Sequence, residues 1–548
     1  MKIILHLLLL ILIPGFLSAQ DSITISDIHS AEKISSIRFT QSKEDSLLGG
    51  VQDRAKEYDK MHRYSLDNSI PMTLNQNPLL PYMTMTHQQL PVNLPEALPV
   101  SLPSTMSDLA WFSIPELAYL IKNKKITAVD LTKFFIERLK KYGDTLQCVI
   151  SLTEDLALQQ AATADKEIAA GKYRGLLHGI PYGLKDLFAV KGTRTTWGAE
   201  PYKNQRIETD SYAYTKLKEA GAILIAKLTL GALAMDDYWF GGRTKNPWKL
   251  TEGSSGSSAG SAAATVAGLV PFAIGTETYG SIISPSTVCG ATGLRPTFGA
   301  VSRSGGMTLC WSLDKTGPIC RSAEDAAIVF NYLHGTDGKD AAAIDMPFNY
   351  TGNTDLSKMK IAYARNYFGK KDTLGNEEQV LEAYRKAGAN LIPVDFPDSG
   401  VYNFDMIGIV IGAESAAAFD GFTRTGLDDK MTRQGKGEWP NYFRAARFIP
   451  AVEYINANRH RYLLMEKVNE VIAQYDAIIC PTWVGNQAAI TNLTGHPAIS
   501  MPTGFDAKGA PTSITLIGKL YDEATLLAVA RAYQDVTKWN KMHPALFR

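Results

Sequence analysis

The most unusual stretch of the sequence is Gly253-Ser254-Ser255-Gly256-Ser257-Ser258-Ala259-Gly260-Ser261, which runs into the small-residue segment Ala262 to Gly268. Small residues let backbone N–H groups approach a bound group closely, and a helix start adds positive partial charge. Taken alone, the tract fits a flexible linker or a phosphate cradle. A linker rarely opens an Ala-rich apolar helix, and the GKS or GKT that a phosphate loop needs does not follow. Fourteen positions beyond Ser261 begins a second tract, Gly275-Thr276-Glu277-Thr278-Tyr279-Gly280-Ser281-Ile282-Ile283-Ser284-Pro285. A hydroxyl beside glycine on a tight turn is open to attack chemistry and ringed by backbone amides. Amide hydrolysis needs such a nucleophile, a base to take its proton, and donors for the oxyanion. The nine histidines form no HExxH or HxH cluster, so a metal centre is not expected.

These tracts need a scaffold, and helical and strand patterns alternate from Met106 onward. Thr127 caps a helix with Asp130 three positions on, and Leu131, Phe134, Phe135 and Leu139 form its apolar face. Asp155 to Ala170 reads as a helix stopped by Gly171. Ser211 to Ala220 reads as another, followed by the apolar strand Ala222 to Ala226. Met359 to Ala364 and Asp476 to Cys480 are further short strands, and Glu523 to about Lys541 is the closing helix. Continuous apolar strands between helices indicate an α/β protein, a mixed sheet covered on both faces by helices. Thr336 to Ser357, polar and rich in Gly and Asn, reads as a surface insertion.

The N-terminal part differs. Met1-Lys2 is a short positive start, Ile3 to Ile13 is almost wholly apolar, and Leu17-Ser18-Ala19 offers a cleavage site. This is the layout of a secretory signal over 1–19, too short to span a bilayer. It predicts an exported protein, periplasmic or secreted, with no stable membrane span after cleavage. Residues 20–105 form an extension in which 42–64 is charge-dense and helix-compatible. Prolines at 71, 78, 81, 91, 95, 99 and 103 force the rest to run extended. The remaining domain is 106–548. Across 548 residues, 45% hydrophobic and 20% charged, the net charge is +1. That balance excludes wholesale disorder and a multi-span membrane protein, and leaves no bulk basic field to hold nucleic acid. Five cysteines without a CxxC read as buried apolar side chains, with Cys310 and Cys320 able to pair in an oxidising compartment.

The motifs together resemble the amidase signature family. Ser255 to Ser261 looks like its GGSSGGS element, and Gly275 to Pro285 like its G-T/S-D/E-x-G-G-S-I-x-x-P element, with 24 positions between Ser257 and Ser281. Leu177-His178-Gly179-Ile180-Pro181-Tyr182-Gly183-Leu184-Lys185-Asp186 matches the family's lysine motif. Cys289 to Thr297, Ser312 to Pro318 and Asn492 to Ser500 follow in family order, so the resemblance covers about Met106 to the C-terminus. It implies the amidase-signature fold and a Ser–cis-Ser–Lys triad of Ser281, Ser257 and Lys185. The implied oxyanion donors are the backbone amides of Thr278, Tyr279, Gly280 and Ser281, with Ser258 orienting the network. Thr276, Glu277, Asp186, Arg295 and Asp314 read as structural polar groups. A Ser-His-Asp hydrolase using His178 or His496 is disfavoured, because Tyr279-Gly280-Ser281-Ile282-Ile283 is not a GxSxG elbow.

Departures from the family pattern bear on substrate. Tyr279 stands where most relatives carry Gly, and its ring is expected to shape the substrate pocket beside the nucleophile. Ile283 replaces an arginine found in many relatives, which removes the obvious partner of an acidic acyl group. The T-E-T-x-G-S-I form looks closest to the peptide amidase branch, which releases ammonia from C-terminal peptide amides. A small-molecule or peptide amide is therefore the expected substrate, hydrolysed through an acyl-enzyme. The alternatives are a broader aryl- or acyl-amide hydrolase and a non-catalytic binding protein on an amidase core. The catalytic component of the glutamyl-tRNA amidotransferases is similar in its core, but an export signal and near-neutral charge argue against a tRNA pathway.

Overall fold

The computed structural model describes residues 22–64, 66–352, 354–370, 375–398 and 404–548. They form two compact units that divide between Leu66 and Asp67. The expected signal, 1–19, lies outside the described residues. In the first unit, helices Ile25–Ile34 and Gln41–His62 are joined by a short turn. Thr24 and Asp27 cap the first reciprocally, Thr24 N donating to Asp27 Oδ2 at 2.8 Å.

The second unit takes in the proline-rich stretch as well as everything after it, so the division falls well before 105. Prolines keep 67–105 free of long helices and strands, as their fixed φ requires, yet the segment is tied down. Leu80 is buried, Asn93 N donates to Tyr350 O at 2.7 Å, and Leu98 N donates to Pro115 O at 3.2 Å.

Eleven strands build one mixed sheet. In chain order they are β1 (Val149–Leu152), β2 (Pro181–Lys185), β3 (Ile223–Leu228), β4 (Ala273–Glu277), β5 (Thr292–Arg295), β6 (Lys315–Cys320), β7 (Ile361–Ala364), β8 (Leu391–Val394), β9 (Ala477–Pro481), β10 (Ala498–Phe505) and β11 (Pro511–Ile517). Their spatial order is β1-β3-β2-β4-β6-β5-β10-β11-β9-β7-β8. Parallel pairs (β3 with β2, β2 with β4, β9 with β7, β7 with β8) flank an antiparallel centre. Every residue of β2, β3, β6, β9 and β11 is buried. Successive side chains point to opposite faces, so both faces of the sheet are covered. Helices Ala259–Val266, Ile283–Cys289, Ala323–Leu333 and Glu523–Thr537 pack against it. The α/β class and the helix-covered mixed sheet expected from the sequence are what the chain adopts.

Local expectations hold within a residue or two, except that the closing helix expected to reach about Lys541 ends at Thr537. Thr127 caps the helix Ala128–Leu146, its Oγ1 accepting from Asp130 N at 2.9 Å, while Leu131, Phe135 and Leu139 are buried. The segment 336–357 is not a surface insertion, because Phe348 and Tyr350 turn inward and stack at 5.8 Å. All five cysteines are buried with free thiols. No helix among the described residues is long and apolar enough to cross a membrane.

One buried ion pair ties the sheet to the site. Lys227 of β3 lies 2.7 Å from Asp186, which directly follows β2, and both side chains are fully buried. Removing one partner strands the other charge without water. Asp186→Asn is expected to lose about 3–5 kcal/mol of stability. The check is the urea midpoint of the full chain, and a midpoint equal to wild type would show that the pair is dispensable.

Candidate active site

Lys185 is the last residue of β2, and Glu277 is the last residue of its parallel neighbour β4. Parallel pairing brings both strands to the same edge of the sheet, with Gly183 opposite Ala273 and Leu184 opposite Ile274. The Lys185 side chain, fully buried, therefore reaches the turn that follows β4. Its Nζ lies 2.8 Å from Ser257 Oγ, 3.0 Å from Ser258 Oγ, 2.8 Å from Thr276 Oγ1 and 3.3 Å from Thr276 O. All four partners are uncharged. Burial pushes the lysine down to about 7, with Asp314 and Glu277 pulling back upward.

The Gly/Ser tract is small because backbone surrounds it. A Cβ at Gly256 would sit 1.8 Å from Asp236 O, and one at Gly260 would sit 2.5 Å from Cys148 O. The Gly256–Ser257 peptide is cis, as the family resemblance implies. Ser255, which stands where the family element has glycine, has φ +58°. It keeps that left-handed conformation with its amide donating to Asp237 Oδ2 at 3.0 Å and its hydroxyl 2.7 Å from Ser284 Oγ. Ser258 bridges the two tracts. Its Oγ accepts from Thr276 N at 3.1 Å and donates to Thr276 O at 3.0 Å, while its amide donates to Ser281 O at 3.1 Å.

The turn 278–281 is held at its ends and open in its middle. Thr278 Oγ1 donates to Asp314 Oδ1 at 2.5 Å, and Ser284 N donates to Gly280 O at 2.7 Å. The backbone amides of Thr278, Tyr279, Gly280 and Ser281 donate to no group among the described residues. Those donors are what a developing oxyanion needs. Ser281 is 8% exposed, Ser257 only 1%, and the Tyr279 side chain stands at the surface, 48% exposed.

Beneath the turn, Glu277 is fully buried and saturated. It accepts from Ile282 N at 2.9 Å, Ile283 N at 3.0 Å, Arg295 Nη1 at 3.0 Å and Asn492 Nδ2 at 3.0 Å. Burial alone would raise its pKa, but Arg295, Lys315 and these donors outweigh it and hold the carboxyl at about 2. Asp186, Arg295 and Asp314 are likewise structural partners, as their sequence context indicates. Thr276 does more, since its hydroxyl contacts Lys185 directly. The histidines are engaged elsewhere. His178 accepts from Arg174 N at 3.1 Å and faces Glu167 at 3.2 Å, and His496 Nδ1 lies 2.8 Å from Thr494 Oγ1. Burial lowers both, His496 to about 3.

Two supports escaped the sequence reading: Asp237, which anchors Ser255, and the pairing of Asp314 with Thr278. Neither has a local pattern, because each contact joins segments 18 or more residues apart.

A family model described as Amidase matches residues 130–490. The chain belongs to the amidase signature family. It is 34% identical over 482 residues to the A-type subunit of the glutamyl-tRNA(Gln) amidotransferase of Coxiella burnetii, covering 79% of this chain and 99% of that one. The corresponding protein of Carboxydothermus hydrogenoformans is 33% identical over 491 residues, covering 80% and 100%. Among solved structures, native peptide amidase from Stenotrophomonas maltophilia superposes with TM-score 0.70 at 27% identity, covering 79% of this chain and 98% of that one. A bacterial aryl acylamidase, TM-score 0.70 at 22% identity over 78% and 97%, shares the fold. The protein is thus an amidase-family enzyme that acts on amide bonds.

The depressed Glu277 carboxyl carries a linkage consequence. Its folded-state pKa lies below its unfolded value, so its stabilisation is present above about pH 4.3 and is lost as pH falls toward 2. The size is on the order of 3 kcal/mol. Glu277→Gln should be less stable at pH 7 and should show a shallower loss of stability between pH 5 and 2 than wild type. Denaturant midpoints across that range check it, and parallel pH profiles would contradict it.

Proposed function

We propose that this enzyme hydrolyses a neutral carboxamide, foremost a C-terminal peptide amide, to carboxylate and ammonia through an acyl-enzyme. The observation that carries the chemistry is Lys185 Nζ, buried, lowered to about 7 and 2.8 Å from Ser257 Oγ. In this reading Ser281 Oγ attacks the carbonyl carbon, Ser257 takes its proton, and Ser257 passes its own proton to neutral Lys185. The oxyanion meets the unengaged amides of Thr278, Tyr279, Gly280 and Ser281. The proton returns through Ser257 to the departing nitrogen, which leaves as ammonia. Water then repeats the sequence and releases the acid. Ser258 and Thr276 orient the lysine, and no cofactor or metal takes part.

Neutrality of the substrate is supported by the surroundings. Ile283 supplies no cation, and Arg303, one of the cations lining the cavity beside Thr278, is taken up by Asp340 at 2.7 Å. The peptide-amide preference draws on the T-E-T-x-G-S-I form and on the likeness to peptide amidase. The Tyr279 ring, exposed beside the nucleophile, is proposed to bound the substrate at the mouth. Export is proposed from the apolar run Ile3 to Ile13, with ammonia released to solvent. The likeness to the amidotransferases concerns the core that both would use to free ammonia from an amide.

Ammonia release across a panel of peptide amides, amino acid amides and aryl amides is the direct test. Ser281→Ala should abolish turnover with the fold intact, and turnover at the wild-type rate would refute the nucleophile. The base is tested by pH. Because only neutral Lys185 can accept the proton, kcat/KM should rise through an apparent pKa near 7 and then level off. Lys185→Arg should be inactive, since guanidinium stays protonated. An unchanged rate from pH 5 to 9, or an active arginine variant, would assign the base to another group.

A further inference from the structure

The segment 69–75 crosses the molecule without helix or strand, and it is latched at both ends. At the near end, Asn68 grips the main chain of Thr308 twice. Its Nδ2 donates to Thr308 O at 2.9 Å, and its Oδ1 accepts from Thr308 N at 2.9 Å. The same Nδ2 lies 3.3 Å from Ala418 O. The turn is set by Asp67, whose Oδ1 accepts from Ser69 N at 2.9 Å. At the far end, Pro78 packs so tightly over Gly495 that a Cβ there would lie 2.9 Å from the proline's own Cβ, and Leu80 is buried.

Between the latches the strap covers a cavity of ≈ 100 Å³. Ser69, Pro71, Met72 and Asn75 form part of its wall. It is also lined by Leu187 and Phe188 just after Lys185, by Thr276 and Thr278 just before Ser281, and by the charged residues Arg303, Asp314 and Lys315. Ligand pockets that enclose drug-sized molecules measure roughly 300–1,000 Å³, so with the strap latched this one accepts a single small group. Ammonia is the leaving group of a primary amide, which means that any bulk in the substrate is on the acyl side.

We propose that the strap 69–75 is the outer wall of a pocket for the one group next to the scissile carbonyl and sets the upper size limit of that group, the rest of a peptide acyl chain lying outside it, with Met72 as the specificity-determining side chain. Asn68 is a positioning residue that keeps Met72 over the cavity. The inference rests on the reading of Ser281 as the nucleophile. It adds a determinant supplied by the N-terminal segment, outside the matched region 130–490.

The test measures labelling of Ser281 in the full chain by two alkyl fluorophosphonates, one with a methyl group and one with a bulky branched chain. The readout is the ratio of their labelling rates, followed by intact mass. Met72→Ala and Asn68→Ala should each raise the bulky-to-small ratio at least tenfold, the lower end of the range for one pocket contact. Met72→Trp should lower it by a similar factor. The segment is irregular and Met72 half-buried, so the folded state should survive, with melting temperature as the check. Should one variant fail to fold, each of the other two still carries its own stated expectation at the same cavity. Ser281 labelled normally but with ratios within twofold of wild type in the folded variants would overturn the strap alone. No labelling of Ser281 in wild type by either probe would overturn the nucleophile assignment and the strap with it.

Discussion

An amine in a dry, uncharged niche is the constraint around which the reactive region is built. Lys185 has hydroxyls and a carbonyl, not a carboxylate, within hydrogen-bond reach. A carboxylate there would hold the ammonium charged and remove the lone pair. Desolvation instead favours the neutral form, and the pKa falls to about 7. Ser257, Ser258 and Thr276 meet that requirement, each placing a hydroxyl oxygen against the amine to accept from its N–H.

The neighbouring carboxylates are kept from undoing this arrangement by being used elsewhere. Glu277 sits one residue from Thr276 and pulls Lys185 upward, but its charge is met by Arg295, by Asn492 and by the amides of Ile282 and Ile283. Those same bonds pin the chain directly after Ser281, so the groups that satisfy Glu277 also fix the turn that carries Ser281. Asp314 is handled similarly, accepting from Thr278 Oγ1, Leu309 N at 2.8 Å and Cys310 N at 3.0 Å. Asp186, adjacent in sequence to the lysine, is turned to Lys227 on the next strand. Alternation along the chain sends Lys185 and Asp186 in different directions, which separates the buried amine from a structural anion one residue away.

What was legible in the sequence follows from how local each constraint is. The Gly/Ser tract announces itself because close backbone approach at Gly256 and Gly260 excludes side chains, and that restriction is written into residue type. The strands β3, β7 and β9 were readable as short apolar runs because their side chains are buried on both faces. The helix Met406–Ala418 was not read, since its nearly uniform apolar and small composition carries no helical period. Residues 336–357 misled for the opposite reason: their polar loops conceal Phe348 and Tyr350, whose burial depends on partners distant in the chain. Prolines correctly announced an extended arm over 71–103. They could not say what it lies against, because Asn68 meets Thr308 across 240 residues.

This last contact bears on how one core serves different amides. In the proposed reaction the lysine, the serines and the amides of the turn act on the scissile carbonyl, which is the same in every amide, so they offer little discrimination between substrates. Discrimination must come from groups that touch the acyl chain and are free to differ without disturbing Lys185. A segment at the N-terminal end meets that condition. It joins the reactive region through one asparagine on a loop backbone and through packing at Pro78, not through the hydroxyl network. Its residues can therefore change size while the amine stays dry and its partners stay uncharged. On the proposed reading, the chemistry is confined to strand ends and the turn after β4, and selection falls to a strap whose residues answer to the shape of what it covers.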